Sequence, residues 1–216
     1  MPTDPAPAPA LSPYERILGP EFAGLHPRLH AYFSTIPSGS IGTGNGVFDV
    51  VGTSRRWLWP ALWLLGLAGV VFPVWERDVP FTVTNTPADA GGRPAVSAVR
   101  RFSFDHGSRD MIDVISAQPG GLVDRLGSGG LIEAAFSSRV VDGGLHLRST
   151  RVVIHLGTLA IPIPHGLAPV VRLTERFDDA TAMQQVAVTI DAPLVGRLYQ
   201  YSGAFRYSVS SGGDPS

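Results

Sequence analysis

From Asp78 onward the chain alternates apolar and polar residues with a period of 2, in segments mostly of about six to eleven residues, and this regularity constrains the fold more than any motif does. The segments read "VPFTVTN", "AVSAVRRFSF", "DMIDVISA", "GLVDRLG", "LIEAAFSSRVV", "GLHLRSTRVVIHLG", "LAIPIP", "VVRLTERF", "QQVAVTID" and "GRLYQYSGAFRYSV". Between them lie turn sequences such as Ala90-Gly91-Gly92, Pro119-Gly120-Gly121, Ser128-Gly129-Gly130 and Asp142-Gly143-Gly144. Such short connections join antiparallel neighbours, because a parallel crossover needs a dozen or more residues. A meander of this many strands leaves hazardous edges if it stays open, so it is expected to curl and close.

The residues before Asp78 follow a different period. Tyr14, Ile17, Leu18, Phe22, Leu25, Leu29 and Phe33 recur near a 3.6-residue repeat, with Ser12, Pro13 and Glu15 placed as N-cap, N1 and N3. Gly19-Pro20 and Pro27 break that run, which predicts two or three short helices. The expected fold is mainly β (α+β): an antiparallel meander β-barrel of lipocalin-like build, or a strongly curved sheet, capped by N-terminal helices. With 216 residues the chain suits one domain, spanning 12–208 between a disordered Pro/Ala-rich tail, 1–11, and a Gly/Ser-rich tail, 209–216. "GTGNG", Gly42 to Gly46, lacks the G-x-G-x-x-G spacing and reads as a flexible loop with positive φ.

The uncharged run between Arg56 and Glu76 poses the question of a membrane span. Pro60, Gly66, Gly69 and Pro73 interrupt it, leaving a helix of about 15 to 16 residues, short for a span and ordinary for one packed on a sheet. A core or barrel-capping helix is expected, with a membrane-surface role for Trp57 to Trp75 as the alternative.

Composition removes several functions. A formal charge of -1, with acids and bases interspersed, supplies no field for nucleic acid. Cysteine is absent, which removes disulfides and zinc-thiolate sites and fits a reducing cytoplasm. The N-terminus has neither the basic nor the apolar region of a secretory signal. Of the histidines only His26 and His30 have i, i+4 spacing, and Pro27 between them is awkward for paired ligands, so no metal is expected. No cofactor loop and no G-x-S-x-G elbow is present.

The informative anomaly is charge on strand faces that are otherwise apolar. Arg100 shares a face with Ala98, Phe102 and Phe104, and Glu175 shares one with Leu173 and Phe177. A buried charge is costly alone and tolerable when paired, so both are expected to face one interior and to bond each other. Tyr199, Tyr201 and Phe205 share a face of the last strand, and His146, or His155, is a further candidate for that interior. Glu175, Arg100 and Tyr201 are the candidate catalytic groups. Ala98, Phe102, Phe104, Leu173, Phe177, Tyr199, Phe205 and His146 are the candidate ligand contacts. The plainer reading is a polar plug that fixes barrel register.

Several stretches together resemble a known family: "LGPEFAGLHPRLHAYF" (18–33), "GTGNGVFDV" (42–50), "DVPFTV" (78–83), "VRRFSF" (99–104), "IPIPHGLAPVVRLTERF" (161–177) and "APLVGRLYQYSGAF" (192–205). The sequence is similar to the bacterial domain-of-unknown-function family 4166 from about Leu18 to Tyr207. Two positions depart from that family's usual pattern: Ala98 stands where an aromatic is common, and "YQYSGAF" lacks a basic residue and a Trp. The resemblance implies a domain found alone or attached to short-chain or saccharopine-dehydrogenase-like reductases, with no agreed activity. Three functions are therefore carried forward: a barrel binding a small apolar molecule, a cofactor-free cyclase or isomerase of polyketide-like secondary metabolism, and a partner module for such a reductase, with a homodimer as an alternative assembly.

Overall fold

A computed structural model describes residues 11–211. The expected N-terminal tail, save Leu11, and residues 212–216 lie outside the described residues. Helix α1 (Pro13–Leu18) starts with the expected capping box: the Ser12 hydroxyl accepts from the Glu15 backbone N–H, and the Glu15 carboxylate accepts from the Ser12 N–H. A 3₁₀ segment (Gly19–Gly24) follows, then α2 (Pro27–Phe33), so Gly19-Pro20 and Pro27 punctuate the run as their chemistry dictates.

Strands β1 (Ser40–Gly52), β2 (Trp75–Glu76), β3 (Val79–Asp89), β4 (Pro94–Phe104), β5 (Gly107–Gln118), β6 (Gly121–Leu126), β7 (Ile132–Val141), β8 (Gly144–Leu156), β9 (Leu159–Pro162), β10 (Val170–Asp178), β11 (Met183–Ala192) and β12 (Gly196–Ser211) complete the chain, with α3 (Trp59–Leu67) between β1 and β2. Ten of them close in the order β1-β3-β4-β5-β6-β7-β8-β10-β11-β12, an antiparallel meander barrel, with β2 an annex to β1 and β9 an annex to β8. The barrel closes where β1 and β12 pair from Ser40↔Ser211 to Gly52↔Gln200. β12 thus remains a strand beyond Ser208, where the ordered chain was expected to stop.

β1 corrects the flexible-loop reading of "GTGNG". Gly42, Gly44 and Gly46 lie within it, none with positive φ. Their missing side chains are occupied by the neighbouring strand: a Cβ on Gly42 would sit 1.5 Å from the Tyr207 hydroxyl oxygen, and one on Gly46 2.1 Å from the Ala204 carbonyl oxygen.

The helices occupy opposite ends of the barrel. α1 and α2 plug the end where β7 turns into β8, with the His26 N–H donating to the Gly143 carbonyl and Tyr32 in edge contact with Phe205 and Tyr207. α3 covers part of the other end, tied down by the Ser128 N–H to Ala68 carbonyl and Ile112 N–H to Gly69 carbonyl bonds. It is shorter than expected, nine residues after a 3₁₀ turn at Arg56–Leu58, because the chain reverses at Gly69 with φ +72°. No helix among the described residues is long and apolar enough to cross a membrane. The outer wall of the barrel carries ion pairs such as Arg101–Asp110 and Arg172–Asp191.

Inside, the side beneath β1, β3 and β4 is filled by aromatic rings. Phe48 stacks on Phe81 at 3.8 Å between centroids and on Phe102 at 5.3 Å, while Phe102 meets Phe104, Phe72 and Tyr201. The opposite side is not filled in this way, and the candidate site lies there.

Candidate functional site

A cavity of about 300 Å³ lies between the aromatic core and the wall formed by β5 to β8 and β10 to β12. Its lining is apolar, with Leu62 of α3, Met111, Ala134, Phe136, Leu173 and Val188 among its walls, and Asp124, Tyr199 and Tyr201 as its polar side chains. It opens at the α3 end, where β8 parts from β10. The two strands pair from Arg172↔Arg148 to Glu175↔Leu145, and the far end of β8 turns instead to β9, pairing from Val153↔Pro162 to Leu156↔Leu159. In the gap the Ser149 hydroxyl receives the Val171 N–H at 2.8 Å. Half-buried Leu65, Ile163, Pro169 and Leu198 rim the opening.

Behind the cavity lies a buried polar network. Arg100 on β4 donates to Asp113 on β5, and Gln184 on β11 donates to Glu175 on β10. Both are diagonal cross-strand pairs, since Asp113 is directly opposite Ala98 and Val186 directly opposite Glu175. Arg100 and Glu175 do share one interior, as the sequence indicates, but they make no hydrogen bond or ion pair with each other. The ring order explains this: β4 and β10 are diametrically opposed in the closed barrel, so each charge takes its partner from the adjoining strand. Across the diameter Arg100 still attracts Glu175 electrostatically.

The network holds protons tightly. Burial pushes the Glu175 carboxyl up to about 7, against the opposing pull of Arg100 and of the Gln184 hydrogen bond. Asp113 is likewise raised by burial although Arg100 favours its charged form. Asp124 on β6 is raised well above the ordinary carboxylate range, first by burial and then by the charge of Asp113, its diagonal neighbour on β5. Its Oδ1 is buried without a hydrogen-bond partner among the described residues. Tyr14 and Tyr32 bring their hydroxyls from the helical plug into the same field, and burial raises both, as it does Tyr199 and Tyr201. A neutral carboxyl on a cavity wall carries one O–H donor, the complement of a carbonyl or ether oxygen.

The candidate residues distribute unevenly around this arrangement. Leu173, Tyr199 and Tyr201 line the cavity. Ala98, Phe102, Phe104 and Phe205 are buried in the packed core and do not line it, and Phe177 stacks on His26 at 4.9 Å beneath the N-terminal plug. His146 projects outward: Leu145 and Leu147 take the inward positions, and the His146 ring lies 3.4 Å from the Thr174 hydroxyl on the outer wall. His155 also faces out, 3.2 Å from Glu133 within a cluster that includes Arg125 and Arg151. Asp113 and Asp124 are the site residues that the sequence reading missed. The same signal marks them, since Asp113 alternates with Met111 and Ile115, and Asp124 with Leu122 and Leu126. Among the described residues no cluster of His, Asp and Glu has the arrangement of a metal site.

Fold and cavity together define a closed, helix-plugged, antiparallel β-barrel with an apolar internal chamber. The chain belongs to the family described as "Domain of unknown function (DUF4166)", whose model matches residues 25–205. No curated protein and no solved structure matches it.

Proposed function

We propose that this barrel binds a small hydrophobic molecule carrying a hydrogen-bond-accepting oxygen. The observation that carries the reading is the apolar chamber with a single carboxyl, Asp124, whose buried Oδ1 has no partner among the described residues. An unpaired buried polar atom costs about 1 to 3 kcal/mol, and a ligand oxygen in contact with it recovers part of that. Apolar walls with few convergent polar groups are the usual form of a small-molecule site. The test is titration with the environment-sensitive dye N-phenyl-1-naphthylamine, followed by native mass spectrometry of protein purified without detergent. Dye uptake that Ala134→Phe abolishes supports the reading; no uptake by the folded wild type overturns it.

A second reading, a cofactor-free cyclase or isomerase, is favoured by one feature of the same wall. A carboxyl whose proton is held more tightly than usual by burial is suited to hand it to a carbonyl oxygen as that oxygen gains negative charge. Asp124 is then the acid, and Tyr201 and Leu173 hold the substrate against it. Asp124→Asn separates the two readings, because it keeps a hydrogen-bond donor for binding and removes the transferable proton.

A further inference from the structure

The end of the barrel where the cavity opens is apolar on its outside as well as its inside. Apart from Leu11, Val47, Val141 and Val209, every large apolar side chain exposed among the described residues lies at this end. On α3, Leu62 points into the protein while Trp63, Leu64 and Leu67 are 56%, 61% and 68% exposed. The sequence of this helix, "WPALWLLGL", contains no polar side chain. A helix apolar all round belongs inside a protein or against lipid, and here one side faces outward. Leu159 and Ile161 on β9, Leu167 in the next loop and Leu194 in the β11–β12 turn continue the surface around the opening. Each lies within a few residues of a cavity-lining side chain: Ile163, Pro169, Ile190 or Leu198.

Beside α3, β9 and the β11–β12 turn the unpaired charge has one sign, while the acids Glu76, Asp78 and Asp105 at this end of the barrel lie over at β2 and the β4–β5 turn. Between Arg55 and Phe72 the charged residues are Arg55 and Arg56, and between Leu156 and Val171 there is no Asp, Glu, Lys or Arg. Asp191, the acid beside the β11–β12 turn, is neutralised by Arg172 and Arg197. Arg55 reaches that turn, since a Cβ on Gly196 would lie 3.5 Å from its Nη2. Arg56 lies over the Trp59 ring at 5.5 Å, and neither arginine is paired with a carboxylate among the described residues. All four tryptophans of the chain fall in this region, with Trp57 and Trp63 exposed, and tryptophan favours the level of the lipid headgroups.

We propose that the barrel docks by this end on an anionic membrane surface, with the outer side of α3, β9 and the β11–β12 turn in the headgroup layer and Arg55 and Arg56 on lipid phosphates. The cavity then opens onto the bilayer, and its ligand is a membrane-dissolved lipophile that enters without crossing water. That last clause rests on the proposed ligand-binding role; the docking does not. The geometry is that of a protein lying on the membrane, held by a short apolar helix and local basic charge.

The experiment is co-sedimentation of the full chain with vesicles of phosphatidylcholine alone and of equal parts phosphatidylcholine and phosphatidylglycerol, with tryptophan emission read in parallel. Binding to the mixed vesicles with a blue-shifted emission is expected. Arg55→Glu with Arg56→Glu should weaken it by roughly fivefold or more per arginine and remove the preference for phosphatidylglycerol. Trp63→Ser with Leu64→Ser and Leu67→Ser should weaken it on the order of a hundredfold. These side chains are exposed, and circular dichroism checks that the variants fold. Absence of vesicle binding by the folded wild type overturns the proposal, as does binding that both variants retain. Self-association in analytical ultracentrifugation that the triple variant abolishes, without vesicle binding, assigns the surface to a second copy and also overturns it. Ala134→Phe keeps the two conclusions apart: it should lose the naphthylamine dye and keep the membrane, so failure of docking with dye binding intact leaves the cavity reading standing.

Discussion

Replacing Glu175 by Gln tests the electrostatics of the interior most directly. The side chain is 3% exposed and its carboxyl is raised from 4.5 to about 7. A shift of that size corresponds to about 3 kcal/mol of linkage between protonation and folding. Because the folded state binds the proton more tightly than the unfolded chain, the contribution is fully present below about pH 4.5 and is lost as pH rises through 7. The replacement amide is isosteric with the carboxyl, still accepts the Gln184 N–H, and has no proton to lose. Arg100 and Asp113, the charged groups that act on Glu175 across the interior, are common to both proteins, so to first order their own titrations cancel in the comparison. The stability of Glu175→Gln relative to wild type should therefore climb by about 3 kcal/mol between about pH 4 and pH 8.5, measured by urea denaturation at a series of pH values. A difference that stays flat with pH would refute the argument. So would a decline toward alkaline pH, which would mean that Glu175 is ionised and held so by Arg100.

Three further outcomes follow from the packing. Arg100→Met strands Asp113 in the interior and should cost about 3 to 5 kcal/mol, while adding Asp113→Leu should recover most of it, as read from denaturation midpoints. Gly203→Ala places a Cβ 2.2 Å from the Val47 carbonyl oxygen in the closing ladder, so strand backbones must part and the variant should lose about 1 to 3 kcal/mol or fail to fold. Asp124→Leu removes a buried carboxyl whose Oδ1 no described protein group satisfies, so it should leave the melting temperature unchanged or raise it, and it should weaken oxygen-bearing apolar probes by roughly tenfold.

The alternation after Asp78 was enough to give the strands β3 to β12, their antiparallel order and the expectation that the sheet closes, because period and turn length are local properties of the chain, but not β1, the strand that completes the ring. Arg100 and Glu175 were legible for the same reason: each interrupts an apolar face. The rule was sound for Asp113 and Asp124 as well, but "DMIDVISA" and "GLVDRLG" are short, and their faces are recognisable only once Met111, Ile115, Leu122 and Leu126 are known to point inward. Partner choice was not legible, since it depends on which strands adjoin in the ring. β1 was obscured by its glycines, whose room is used by Tyr207 and Phe205 from a strand at the far end of the chain. His146 illustrates the limit of mixed segments: in "GLHLRSTRVVIHLG" the inward face is decided by Leu145 and Leu147, and the phase then changes where β8 bulges against Phe136.

The ladder between β1 and β12 also bears on synthesis of the protein. Its partners are the first and last strands of the barrel, so a ribosome must deliver the whole barrel before either edge is covered. Until then β1 and β11 both present open strand edges beside an aromatic interior, which is the situation in which chains pair with the wrong partner. The sequence distance spanned by this contact places the barrel among slow folders, in roughly the millisecond-to-second range or beyond. The glycines of β1 and β12 make that late meeting possible: they allow two backbones to approach more closely than side chains would permit.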